Sequence, residues 1–137
     1  MVVAVFDTDV LIAYRDRRDA QHAEAIERMR RALLPGVTRR ICAVSLGELL
    51  VGPLRAQGPA GADQTVALLG SLRFDVVAVD AGLARGAGEV RAQTNLKLPD
   101  AYVLATALAA RSRTDEVRVE TFDAALDRAS AALLAEH

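Results

Sequence analysis

The amino-terminal stretch constrains the fold of this chain more than any other segment. Val2–Phe6 is a run of five apolar residues, three of them β-branched, and Asp7, Thr8 and Asp9 follow it directly. A short run of this kind is typical of a strand buried on both faces of a parallel sheet. Ligands of open parallel sheets bind at the carboxyl edge of the strands, so Asp7 predicts an acidic site at that edge.

Length and composition predict one domain that spans residues 1–137. The chain has 52% apolar residues, enough for a real core. No apolar run approaches the roughly 18 residues of a membrane span. The amino terminus lacks a basic region, a long apolar segment and a cleavage site, so we expect a cytoplasmic protein. Cys42 has apolar neighbours, which favours a buried structural thiol over a nucleophile.

The charge pattern leaves two interpretations open. A formal net charge of −1 gives no overall attraction to nucleic acid. The basic residues are nearly all arginines, and they cluster at 15–18, 28–31, 39–40 and 111–113. Such clusters fit phosphate binding and solvated helix faces about equally well.

Apolar segments of strand length alternate with helical segments along the chain. We expect strands at 2–6, 40–44, 75–80 and 117–120, and helices at 9–14, 19–34, 45–57, 62–72, 81–95, 101–111 and in the tail. This alternation predicts an α/β protein, a three-layer α/β/α sandwich around a mainly parallel sheet. Right-handed crossovers would bring every strand's carboxyl end and every following helix's amino end to one edge.

Four acids are predicted to meet at that edge: Asp7, Glu48, Asp100 and Asp123. Each has a structural explanation, because Ser45 and Glu48 match a capping box and the other acids suit helix amino ends. Together, however, four carboxylates repel one another, and helix dipoles worth ~0.3–1 kcal/mol each are too weak to offset that repulsion. We therefore expect a cation among them.

The donor set favours a hard cation. Carboxylate oxygens without nearby imidazole or thiol suit Mg²⁺ or Mn²⁺. The chain has two histidines, His22 in a predicted helix and His137 at its end, so zinc and a Ser-His-Asp triad are disfavoured.

Several segments in register make the chain resemble PIN-domain ribonucleases of the VapC toxin family. The matching segments are Asp-Thr-Asp-Val-Leu-Ile-Ala at 7–13, Ser-Leu-Gly-Glu-Leu-Leu-Val-Gly at 45–52, Leu-Pro-Asp-Ala at 98–101 with Ala-Thr-Ala at 105–107, and Thr-Phe-Asp at 121–123. Two features depart from the family pattern. Asp9 stands where asparagine or serine is common, and 129–137 looks helical where many relatives have a fifth strand.

The resemblance implies a fold, an activity and a set of site residues. The fold would be PIN-like with four or five strands, and the activity a Mg²⁺- or Mn²⁺-dependent hydrolysis of RNA phosphodiesters. Its implied catalytic residues are Asp7, Glu48, Asp100 and Asp123, with Asp7 and Asp100 as metal ligands and Thr8 and Thr121 in support. It also implies a VapB-like antitoxin as partner and a homodimer, for which surplus apolar residues at 49–54 and 62–70 provide a candidate surface.

Three alternatives start from the same residues. In a haloacid-dehalogenase-like phosphatase Asp7 would be the nucleophile and Asp9 the general acid, but Leu11 replaces the usual hydroxyl residue and Lys97 is the only lysine. A receiver domain is disfavoured for a similar reason, because no lysine follows the fourth predicted strand. The third alternative is a PIN-fold binding module without catalysis, against which the four intact acids argue.

Overall fold

The structure, a computed structural model, describes residues 1–113 and 115–136, and these form a parallel sheet between two layers of helices. The strands are β1 (Val2–Phe6), β2 (Val37–Cys42), β3 (Phe74–Val77) and β4 (Glu116–Glu120). The helices are α1 (Thr8–Arg15), α2 (His22–Ala32), α3 (Ala43–Gln57), α4 (Pro59–Ser71), α5 (Ala81–Gln93), α6 (Leu98–Ala109) and α7 (Ala124–Leu134). The predicted three-layer architecture is confirmed.

β1 is an inner strand of the sheet, whose order is β3-β2-β1-β4 with every pair parallel. Its side chains alternate between two cores, as the pleat of a strand requires. Val3 and Val5 pack with α5, α6 and α7 on one face, whereas Ala4 and Phe6 pack with α1 to α4 on the other. The predicted burial of this strand on both faces is therefore confirmed.

α6 is the deep helix that the sequence predicted. Its alanines, valine and leucine at 101–107 are buried, and the helix contacts β1, β2 and β4. Pro99 lies in its first turn, where a missing backbone N–H has no cost. The helix consequently places Asp100, also in the first turn, at the carboxyl edge of the sheet beside β1.

Several boundary predictions were wrong. β2 ends at Cys42 and not at residue 44, because α3 already begins at Ala43, and β3 ends at Val77 and not at residue 80.

β2 begins at Val37 instead of residue 40, since the Arg39 guanidinium donates to the carbonyls of Ala32, Val37 and Leu72 and so satisfies a charge inside the strand. α4 begins at Pro59, because Gly58 alone, with φ of 64°, makes the turn that the sequence placed over four residues.

The tail is helical as far as Leu134, as predicted, and the described residues contain no fifth strand. His137, the second histidine of the chain, lies outside the described residues. None of the helices in the described ranges is long and apolar enough to cross a membrane.

Candidate acidic site

Asp7 is the buried centre of the acidic edge. It follows β1 and caps α1, and its Oδ1 accepts a hydrogen bond from the backbone N–H of Thr8 at 2.8 Å. Its Oδ2 accepts from the Thr121 hydroxyl at 2.8 Å. Its own N–H donates to the carbonyl of Glu120 at 2.9 Å, which continues the pairing of β1 with β4. With 7% of its surface exposed, this side chain has a fixed position.

Thr8 links Asp7 to the next acid along the edge. Its hydroxyl lies 3.2 Å from the carbonyl oxygen of Ser45 and 3.5 Å from Oε1 of Glu48. The predicted capping box is wrong, because α3 begins at Ala43 and Ser45 is buried inside it. Glu48 lies in the second turn of α3, so a capping role does not explain its position.

The segment 121–123 closes the edge after β4. The Thr121 hydroxyl donates its one proton to Asp7 and accepts from the N–H of Asp123 at 3.0 Å. Asp123 is the amino-terminal cap of α7 and accepts from Leu126 N–H at 2.9 Å, as its structural explanation predicted. Thr121 therefore connects the first and the last acid of the predicted set.

Asp9 belongs to the same cluster, although the sequence predicted a role for it only in the phosphatase alternative. Its Oδ2 accepts from the N–H of Phe122 at 3.0 Å and lies 3.5 Å from the Thr121 hydroxyl. Its Oδ1 is buried without a hydrogen-bond partner among the described residues. The only signal in the sequence was its departure from the usual residue at this position.

Burial, and then repulsion among the acids, raise the pKa values of four of these carboxylates. Burial, followed by repulsion from Asp7, Asp123 and Glu48, raises the pKa of Asp100 to about 6, against a small lowering by Lys97. Burial and then Asp7 raise the pKa of Asp9 to about 6.

The remaining shifts have the same causes. Burial, and repulsion from Asp123, raise the pKa of Asp7, while hydrogen bonds from Thr121 and Thr8 act in the opposite direction. Partial burial and then Asp7 raise the pKa of Glu48. The structure thus brings together all four acids that the sequence singled out.

No ion pair among the described residues compensates the negative charge of this edge. Within 1–113 and 115–136, no arginine, lysine or histidine nitrogen lies within 4.0 Å of a carboxylate of Asp7, Asp9, Glu48, Asp100 or Asp123. His22 instead contacts the carbonyl of Ala13 through Nδ1. Among the described residues, no group of three or more Asp, Glu, His or Cys side chains is placed so that it could hold a metal ion.

The donor chemistry nevertheless fits a hard divalent cation. Among the described residues the edge offers carboxylate, hydroxyl and backbone carbonyl oxygens, and Oδ1 of Asp9 is buried there without a hydrogen-bond partner. A cavity of about 610 Å³ between α5, α6 and α7 lies elsewhere, and none of the five acids lines it. At this edge Glu48 and Asp123 are exposed, Asp9 and Asp100 are partly exposed, and Asp7 is buried.

Comparison with known proteins identifies the class of this parallel α/β protein. The pattern of the PIN domain family matches residues 4–132, so the chain belongs to that family. This match favours the PIN interpretation over the phosphatase alternative. No curated protein sequence matched the chain.

Several solved structures are similar over nearly the whole chain. Mycobacterium tuberculosis VapC20, a sarcin–ricin loop cleaving toxin, has 22% identity and a TM-score of 0.71, covering 92% of this chain and 94% of its own. A toxin–antitoxin complex from Klebsiella pneumoniae has 26% identity and a TM-score of 0.67, with 88% and 86% covered. VapBC-1 from nontypeable Haemophilus influenzae has 16% identity and a TM-score of 0.67, with 95% and 93% covered.

Proposed function

We propose that this protein is a Mg²⁺- or Mn²⁺-dependent ribonuclease and the toxin of a VapBC-type toxin–antitoxin pair. The observation that carries the proposal is the cluster of uncompensated carboxylates at the carboxyl edge of a PIN-family sheet. The similarity to a toxin that cleaves the sarcin–ricin loop supports RNA as the substrate class. The site of action would be the cytoplasm, where such RNA is found.

The acids would have different roles in binding the cation. Asp7 and Asp100 would bind it directly, and Glu48 and Asp123 would complete the pocket directly or through water. A bound divalent cation would supply Lewis-acid activation of water and charge stabilisation at the leaving oxygen of the phosphodiester. Thr121 would keep Asp7 in one orientation, because its hydroxyl donates to Oδ2 at 2.8 Å. Thr8 would do the same between Asp7 and Glu48.

A VapB-like antitoxin would be the partner, as in the VapBC complexes to which the chain is similar. An antitoxin arginine placed among the acids would supply the missing positive charge and inhibit the site.

The chain would also form a homodimer through α3 and α4. These helices pack on each other, yet Val51, Leu54 and Val66 remain 42%, 44% and 50% exposed. Apolar residues clustered at such a surface favour association.

The ribonuclease proposal is tested with the purified protein and a mixed RNA substrate. Cleavage is expected with Mg²⁺ or Mn²⁺, and loss of cleavage in excess chelator. Asp7→Asn is expected to be folded and inactive, whereas Asp63→Asn, at an exposed position on α4, serves as the matched control and should remain active. Cleavage at full rate in chelator, or full activity of Asp7→Asn, would contradict the proposal.

The partner proposal is tested in cells. Expression of the protein alone should stop growth, and co-expression with its antitoxin, or the Asp7→Asn change, should restore it. Sedimentation should give a dimer at micromolar concentration, which Leu54→Glu should weaken. A monomer whose expression is harmless would count against both the toxin and the dimer.

A further inference from the structure

Arg28 lies on α2 in one of the arginine clusters, but its surroundings differ from those of its neighbours. The apolar face of α2, with Ala25, Met29 and Ala32, is buried against the sheet. The Arg28 side chain borders this face and is 22% exposed, whereas that of Arg30 is 67% exposed. Arg28 therefore belongs to the interior edge of the helix and not to its solvated face.

The guanidinium of Arg28 holds the segment that follows β4. Its Nη1 donates to the carbonyl of Thr121 at 3.0 Å and lies 3.4 Å from Oε1 of Glu120. Its carbon Cζ stands 4.9 Å from the centre of the Phe122 ring, a cation–π distance. Its Nε contacts Glu24 at 3.3 Å. Its Nε and Nη1 are therefore engaged by groups of the protein itself.

The same segment also contacts two acids of the site. The Thr121 hydroxyl donates to Asp7, and the Phe122 N–H donates to Asp9. Arg28 and the acids thus contact the same two residues. Arg28 contacts the Thr121 carbonyl and the Phe122 ring, and Asp7 and Asp9 accept from the Thr121 hydroxyl and the Phe122 N–H.

Glu120 adds a second connection between Arg28 and the site. This buried residue, 5% exposed, is placed between Arg28 and Arg118, whose Nε lies 3.5 Å from Oε2. Its carbonyl accepts the N–H of Asp7 at 2.9 Å. Loss of Arg28 would leave the Glu120 carboxylate with one partner at the strand position next to Asp7, and removal of one member of a buried pair is costly.

We propose that Arg28 is a positioning residue of the acidic site, which it acts on by fixing the backbone and side chains of 121–123. Its effect on catalysis rests on the proposed ribonuclease function, whereas its effect on the segment does not. Arginine is required because a lysine ammonium keeps the charge but has no planar fork that can bond a carbonyl and stack on a ring together.

The first readout is amide hydrogen exchange in the metal-free protein, which needs no activity. Arg28→Met should accelerate exchange at Phe122 and Asp123, whose N–H groups bond to Asp9 and Thr121, by roughly tenfold. Arg28→Lys should give an intermediate rate. Arg30→Met is the control on the same helix and should change neither amide. Amides of α6 are the internal reference and should be unchanged in every variant.

The second readout is steady-state cleavage of RNA. Misplacement of Asp7 should lower kcat by roughly tenfold and leave KM within about a factor of two, because orientation and not binding is altered. Unchanged exchange at Phe122 and Asp123, or equal acceleration throughout α6, would overturn the proposal.

The two proposals fail in distinguishable ways. If the wild-type protein cleaves no RNA with any divalent cation, the ribonuclease function fails while the exchange data still decide what Arg28 does. If the wild type cleaves RNA and Arg28→Met has the same kcat, the positioning role is refuted alone.

Discussion

Asp100→Asn is expected to stabilise the metal-free protein at neutral pH. The pKa of Asp100 is raised from 3.8 to about 6 by burial and by the neighbouring acids. A raised pKa in the folded state means that the ionised carboxylate opposes folding. The contribution of the Asp100 carboxyl to the free energy of unfolding is therefore fully present below pH 3.8 and is lost as the pH rises through about 6. Asparagine has nearly the same shape without the charge, so it removes this penalty.

The magnitude follows from the shift. About two pKa units at about 1.4 kcal/mol each give an upper limit of roughly 3 kcal/mol at pH 7. Solvent reaches part of this side chain and screens the repulsion, which leaves about 1 kcal/mol. An unfolding entropy of about 2.1 cal/mol/K per residue, applied to a chain of this length, converts this into a rise in Tm of roughly 3 °C.

The assay is thermal unfolding in chelator at pH 7 and pH 4. The gain in Tm should be seen at pH 7 and nearly vanish at pH 4, where the wild-type carboxyl is largely protonated in the folded state. Asp63→Asn, at an exposed site on α4, should leave Tm unchanged at both values. A lower Tm for Asp100→Asn at pH 7, or an equal gain at both pH values, would refute the claim of carboxylate crowding.

Two further predictions concern single contacts. Thr121→Val removes the buried hydroxyl between Asp7 and Asp123. It should lower the free energy of unfolding by about 1–2 kcal/mol and weaken RNA cleavage. Thr121→Ser keeps the hydroxyl and should keep both stability and cleavage. Equal effects of Val and Ser would exclude the hydroxyl as the cause. Gly61→Ala would place a Cβ against the carbonyl of Pro53 and should cost about 1–3 kcal/mol, whereas Gly70→Ala, with open space on the same helix, should not destabilise. Thermal unfolding of the pair decides this.

The fold was predictable where local pattern and tertiary environment agree. Val2–Phe6 is apolar at every position, and both faces of β1 are buried. The sequence pattern alone therefore predicts the burial of this strand. The start of β2 was not predictable, because Arg39 is satisfied by the carbonyls of Ala32 and Leu72, which other elements supply. Ser45 and Glu48 match a local capping signal, but α3 begins earlier and overrides it.

The acidic edge was predictable in its members and not in its connections. Topology brings Asp7 and Asp123 to the carboxyl edge, since parallel strands end together. Asp100 joins them because α6 packs beside β1, which the sequence analysis could state only as a condition. The contacts of Asp9 and Arg28 join residues more than 90 positions apart in the chain. A single sequence carries no signal for such pairs, because each residue alone looks like an ordinary polar group on a helix.

Binding of Mn²⁺ to the metal-free protein is the measurement that tests the acidic site most directly. Calorimetric titration of the wild type should show saturable binding of one or two ions per chain. Asp7→Asn should weaken binding by more than roughly tenfold, and Asp63→Asn should not change it. Absence of saturable binding to the wild type, or equal affinity in wild type and Asp7→Asn, would contradict the assignment of this edge as a metal site.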